Sequence, residues 1–222
     1  MRRDPTVTEL THGQRQIWVG QQLTPDRPLY NMAFAVVLPL EIDAARFERA
    51  WRRVVDASDV LRTRVAAEAG AGVRLAETGG GATVYEDFSE RTDPERAFRD
   101  WCRERCREPL ALDGELVDSV LVRLSAGRTG WYLNQHHLIA DARSTILLYR
   151  QVAAAYAADG DGESPPTLPG YYPTVAALPA SEAARETAAA HWEARREGRT
   201  APFCGRSGRP GGTARTRFRL EL

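Results

Sequence analysis

"NQHHLIADARS", residues 134–144, sets two adjacent histidines, His136 and His137, ahead of an aspartate, Asp141. The run before it, "GWYL", reads as a buried strand, and "RSTILLYRQVAAAYAA" after it has helical periodicity. The stretch therefore predicts a strand, a short loop and a helix. Adjacent residues on a strand point to opposite faces, so only one of the two histidines can face any given pocket while its neighbour supports it. Two histidines ending a strand and an aspartate capping the next helix would account for the same residues without any chemistry.

Outward from this point, helical and strand patterns alternate. "THGQRQIWVGQQL" places Ile17 and Leu23 on a helix ended by "TPDRP", and "NMAFAVVLPL" reads as a strand. "DAARFERAWRRVVDAS" is amphipathic, with Phe47, Trp51, Val54 and Val55 on one face and Asp43 as its N-cap. "VLRTRVA", "GVRLAE" and "ATVYEDF" are short strands separated by "AGAG" and "TGGG", which predicts a meander on one sheet. A helix follows from Asp93 to Glu108 with proline in its first turn, and then two strands, "ELVDSVLVRL" and "GWYLNQHH".

The helix after the histidines is predicted to bury a stripe of Ile146, Leu147, Tyr149, Val152 and Tyr156. "DGDGESPPTLPGYYP" reads as an exposed loop, "ASEAARETAAAHWEARREG" as a last helix, and "RTRFRLEL" as a strand. The layout is one α/β domain, a mixed, mostly antiparallel sheet with helices packed on it.

Composition narrows the function. The 222 residues carry a formal net charge of zero, which gives no electrostatic grip on nucleic acid or an anionic membrane. All 30 basic residues are arginine, a bias of coding in a GC-rich genome. "MRRDPTVTEL" has no apolar core of a signal peptide, and no apolar run approaches the roughly 20 residues of a membrane helix, which predicts a soluble, cytoplasmic protein. Cys102 and Cys106 stand at helical spacing and read as buried thiols. Together with Cys204 they are too few for a disulfide framework.

Other chemistries are poorly served. A zinc site needs a third protein ligand, and His12 and His191 are remote in sequence. "SAGRTG" and "GRSGRPGG" lack the G-x-S-x-G elbow, and "TGGGAT" lacks the Lys-Ser/Thr of a P-loop. No metal and no bound cofactor is expected.

In combination, the motifs resemble the N-terminal lobe of a nonribosomal peptide synthetase condensation domain, of the chloramphenicol acetyltransferase-like superfamily. "LTHGQRQIW" is similar to that family's opening motif at Leu10, Gln14 and Trp18. "ASDVLRT" keeps Leu61, Arg62 and Thr63 of its second motif, with Ala57, Ser58 and Asp59 in place of Arg-His-Glu. "HHLIADA" preserves His136, His137 and Asp141 of the His-His-x-x-x-Asp-Gly motif, with Ala142 in place of glycine. "YYPTVAAL" and "AAHWEARREG" resemble its later tyrosine and tryptophan segments.

The resemblance implies a chloramphenicol acetyltransferase-like single lobe over residues 1–200. Residues 201–222 would be a linker and first strand toward an absent C-terminal lobe. It implies amide-forming acyl transfer between thioesters carried on the phosphopantetheine arms of donor and acceptor peptidyl carrier proteins, with adenylation and carrier domains in the parent protein. His137 would be general base or hydrogen-bond donor, and histidine's ordinary pKa near neutrality suits either role. His136 would support it. Asp141 would pair with Arg62 to shape the loop, and Ala142 would add a methyl at the pocket floor or at a backbone angle that favours glycine. Without the second lobe, the chain would fold but condense little. An ester-forming or epimerising relative, and a non-catalytic module that recruits carrier proteins or enzymes, remain alternatives.

Overall fold

The computed structural model describes residues 7–68, 72–77, 80–158, 170–177 and 182–196. "RTRFRLEL", Cys204, residues 69–71 of the "AGAG" turn and most of the proline-rich loop lie outside them. The chain divides into two units, residues 1–178 and 179–222.

In the first unit, β2 (Asn31–Leu38), β5 (Thr83–Asp87), β6 (Val117–Ser125) and β7 (Arg128–His136) form a four-stranded sheet in the order β2-β7-β6-β5. β6 and β7 are the central strands, and alternation drives their side chains into two separate cores. Leu121, Trp131 and Leu133 face helices α2 (Ala44–Ala57) and α4 (Ala142–Ala157), which lie side by side. Val120, Val122 and Tyr132 face α3 (Pro94–Arg105). The sheet is thus a central layer between helices, with Trp131 meeting Phe47 and Tyr149 edge-on at 5.0 and 4.6 Å.

The expected helices form for the expected reasons. Asp43 caps α2 by accepting from Arg46 N at 2.7 Å, and Phe47, Trp51, Val54 and Val55 are buried. Asp93 caps α3, with Pro94 in its first turn, and Cys102 and Cys106 are buried thiols in the core beneath it, outside any disulfide. Burial pushes the Cys102 thiol up to about 12, which keeps it protonated and inert. In α1 (His12–Leu23), Ile17 packs on the core, whereas Leu23 is 79% exposed.

Two sequence expectations are corrected. The three short strands are not one meander: β3 (Thr63–Glu68) and β4 (Gly72–Glu77) join β1 (Val7–Glu9) in a second sheet, while β5 pairs parallel to β6. Gly80, just before β5, has a φ of +73° and stands close against α2. A Cβ there would lie 2.3 Å from Val55 Cγ1. The buried stripe of α4 is also rotated, to Thr145, Leu148, Val152 and Ala155, leaving Ile146 and Leu147 exposed. Thr145 enters the interior because its hydroxyl donates to Gln135 Oε1 at 2.8 Å, a polar pair that hydrophobicity alone does not reveal.

Helix α5 (Tyr171–Ala177) starts within the segment read as loop, and its first two backbone N–H groups donate to the Asp59 carboxylate at 3.0 Å each. The second unit contains α6 (Glu182–Arg196), with Trp192 exposed and edge-on to His191. Among the described residues, no helix is long and apolar enough to cross a membrane.

Candidate active site

Strand β7 ends at His136, the chain turns through His137–Ala140, and Asp141 caps α4. The strand's alternation splits the histidines as their adjacency requires. His136 is 1% exposed beneath the sheet, and His137 is exposed.

Hydrogen bonds give the two rings opposite tautomers. His136 Nδ1 accepts from Leu138 N at 3.1 Å, so its ring proton sits on Nε2, a buried atom without a partner among the described residues. Burial, with a smaller repulsion from His137, lowers the His136 pKa to about 4 and keeps this ring neutral. His137 Nδ1 lies 2.8 Å from the Ala140 carbonyl oxygen, which can only accept, so Nδ1 donates and the neutral ring's lone pair is on Nε2. The loop thereby holds an exposed imidazole with one nitrogen anchored and the other available as acceptor.

Asp141 has a different partner from the one expected. Its carboxylate accepts from Ser144 N and Ser144 Oγ, both at 2.7 Å, and these bonds hold its pKa below the usual carboxylate range. No ion pair joins it to Arg62 among the described residues. Arg62 Nε donates to the Ser58 carbonyl at 3.4 Å, and the Arg62 stem packs beneath Gly80. Asp141 is therefore an exposed N-cap, and Arg62 lies in the short 3-10 turn Val60–Arg62. Ala142 is the first residue of α4 and exposed. No non-glycine residue among those described has positive φ, so its methyl meets no backbone penalty.

Sequence reasoning missed two supports. Gln14, 4% exposed, donates from Nε2 to the Leu138 carbonyl at 3.2 Å, linking α1 to the histidine loop. Asp59, standing where the second motif departs from the family pattern, holds the start of α5. Gln14 was legible only as a position of the opening motif; its capping box with Thr11 and its bond to a loop far along the chain were not.

Behind the loop is a cavity of about 200 Å³. Val54, Leu61, Ile139, Ala140 and Leu147 give it apolar walls, Ser144 and Gln151 add neutral polar groups, and the Asp59 carboxylate stands on its edge toward α5. Among the described residues, no group of three or more histidines, cysteines or carboxylates could hold a metal ion.

A family model of the condensation domain matches residues 5–207. The chain belongs to the condensation-domain family. It is similar to the dimodular nonribosomal peptide synthase of Bacillus subtilis (strain 168), 28% identical over 151 residues, covering 67% of this chain and 6% of that synthase. With the isonitrile lipopeptide synthase of Streptomyces coeruleorubidus the identity is 31% over 157 residues, covering 69% of this chain and 11% of the synthase.

Among solved structures, the starter condensation domain of rhizomide synthetase superposes with a TM-score of 0.79 at 28% identity, over 89% of this chain and 49% of that one. The first condensation domain of the CDA synthetase gives 0.73 at 26% identity, over 88% and 52%. This condensation-family chain thus spans about half the length of those solved domains. The fold is the chloramphenicol acetyltransferase-like α/β arrangement expected from the sequence.

Proposed function

We propose that this chain is the histidine-bearing half of an amide-forming condensation domain. The observation that carries the reading is the exposed His137 ring, anchored through Nδ1 with its Nε2 lone pair available. The acceptor amine adds to the donor thioester carbonyl, Nε2 accepts a proton from the nitrogen, and collapse of the tetrahedral species breaks the C–S bond. The thiolate leaves on its pantetheine arm and takes a proton, and an amide remains. A thioester is already activated, so positioning the two arms supplies much of the acceleration and the imidazole assists proton removal.

The substrates are acyl and aminoacyl groups on the phosphopantetheine arms of donor and acceptor carrier proteins, in a parent synthetase with adenylation and carrier domains. The apolar cavity behind the loop would take the side chain or tail of the donor acyl group. Solved variants of the rhizomide starter domain in complex with C8-CoA support a fatty acyl donor as the first to try.

The test is turnover of carrier-bound octanoyl and aminoacyl thioesters by the polypeptide that carries this chain, with His137→Ala beside the wild type. The variant is expected to lose roughly 10²–10⁴-fold in rate. Unchanged turnover would refute the role of His137. Faster reaction with a carrier-bound alcohol than with an amine would assign ester formation. Retained carrier binding with no turnover of any acceptor would make the chain a recruitment module.

A further inference from the structure

We infer that Gln14 is a positioning residue for His137, acting through the backbone of Leu138. That residue's backbone is gripped on both sides by buried side chains. Its N–H donates to His136 Nδ1 at 3.1 Å, and its carbonyl accepts from Gln14 Nε2 at 3.2 Å. The next backbone N–H, of Ile139, donates to the His136 carbonyl at 3.0 Å, and His137's own N–H donates to Tyr30 O at 2.8 Å. The path of the loop is therefore set on both sides of the residue that follows His137. The Ala140 carbonyl, which fixes the His137 ring, lies only two residues further on.

The Gln14 amide has a single workable orientation. Its Oε1 accepts from Thr11 N at 3.0 Å, which only oxygen can do, and its nitrogen faces the Leu138 carbonyl, to which only nitrogen can donate. The same side chain faces the Tyr172 hydroxyl, which is 2.8 Å from Thr63 Oγ1. Thr63 Oγ1 donates in turn to Asp59 O, at 2.9 Å, and the Asp59 carboxylate holds the first turn of α5. Gln14 is thus where α1, α5 and the 3-10 turn meet the histidine loop. A buried amide with its bonds satisfied is rigid, because any shift leaves a polar group unpaired.

The inference rests on the acyl-transfer reading only for what the positioned ring is used for, so its test needs no turnover. The full chain, labelled with nitrogen-15, is compared with Gln14→Glu, Gln14→Met and Tyr172→Phe by imidazole nitrogen shifts and by exchange of loop amides. At pH 7 Gln14→Glu keeps the acceptor for Thr11 N, and with it the helix cap, but has no hydrogen to give Leu138. It is expected to move the His137 ring from the single Nδ1–H form toward the mixture of a free imidazole and to speed exchange at Ile139 at least tenfold.

Gln14→Met is expected to do the same. Tyr172→Phe, which keeps the ring and removes the hydroxyl, is expected to shift the same signals less. If Gln14→Met fails to fold, Gln14→Glu decides. Wild-type His137 signals and Ile139 exchange in Gln14→Glu would overturn the proposal. A positive result beside a fully active His137→Ala variant would leave the clamp standing and defeat the catalytic reading.

Discussion

At the scale of single residues, the two histidines show how one peptide unit of displacement separates two chemistries. His136 is buried and neutral with its proton on Nε2, and His137 is exposed with its proton on Nδ1. His136 makes stability pH-dependent. An unfolded imidazole titrates near 6.5 and the folded one at about 4, so the unfolded chain binds more protons between those values. Its contribution is intact above pH 6.5 and is lost as pH falls toward 4, by up to roughly 3 kcal/mol. His136→Asn, which keeps an acceptor for Leu138 N, is expected to flatten that part of a urea-midpoint profile. An unchanged slope would remove His136 as its source.

Asp141, bonded to Ser144 and not to Arg62, acts as a cap. Asp141→Ala is expected to cost about 1 kcal/mol, and Asp141→Asn only a few tenths. A loss of roughly 3 kcal/mol or more in denaturant unfolding would instead signal a buried ion pair. The motif spacing identified both histidines and the aspartate. Two roles were open for Asp141, a cap of the next helix and a pair with Arg62, and the closed loop makes it the cap.

At the scale of elements, amphipathic order was legible and assignment to sheets was not. The α2 face could be read directly, because Phe47, Trp51, Val54 and Val55 bury as periodicity demands. The face of α4 could not, since the inward Thr145 is polar and the outward Ile146 and Leu147 are apolar. Likewise β5 has the alternation of a strand, but alternation does not name a partner, and it left the β3–β4 sheet for β6.

Gly80 and Gly127 both have positive φ, yet only Gly80 is crowded, by Val55 Cγ1, while Gly127 has nothing within 4 Å. Gly127→Ala is expected to cost about 1 kcal/mol of backbone strain. Gly80→Ala should cost about 2–4 kcal/mol, because overpacking adds to the strain. Equal melting shifts for the two variants would contradict the close approach at Val55.

At the scale of the whole molecule, the family is established and the chain covers about half of its solved members. On the proposed reading the site joins two carrier-borne groups and needs walls on both sides of the histidine. The chain by itself is therefore expected to fold, with a cooperative unfolding transition, yet to form amide at less than about 1% of the rate of a full-length condensation domain such as those it half covers, since orientation is the larger share of the acceleration. Near-full turnover by the isolated chain would show that one half suffices.

The order of strands also bears on how the protein comes into being. Among the described residues β2 pairs only with β7, Asn31 opposite His136, so a strand made early waits for one made about a hundred residues later. While it waits on the ribosome, the apolar face of α2 has no sheet to cover, and pairings this distant in sequence form slowly. The segment that closes the sheet is thus the one that delivers His137, so closure of the β2 edge and assembly of the site coincide.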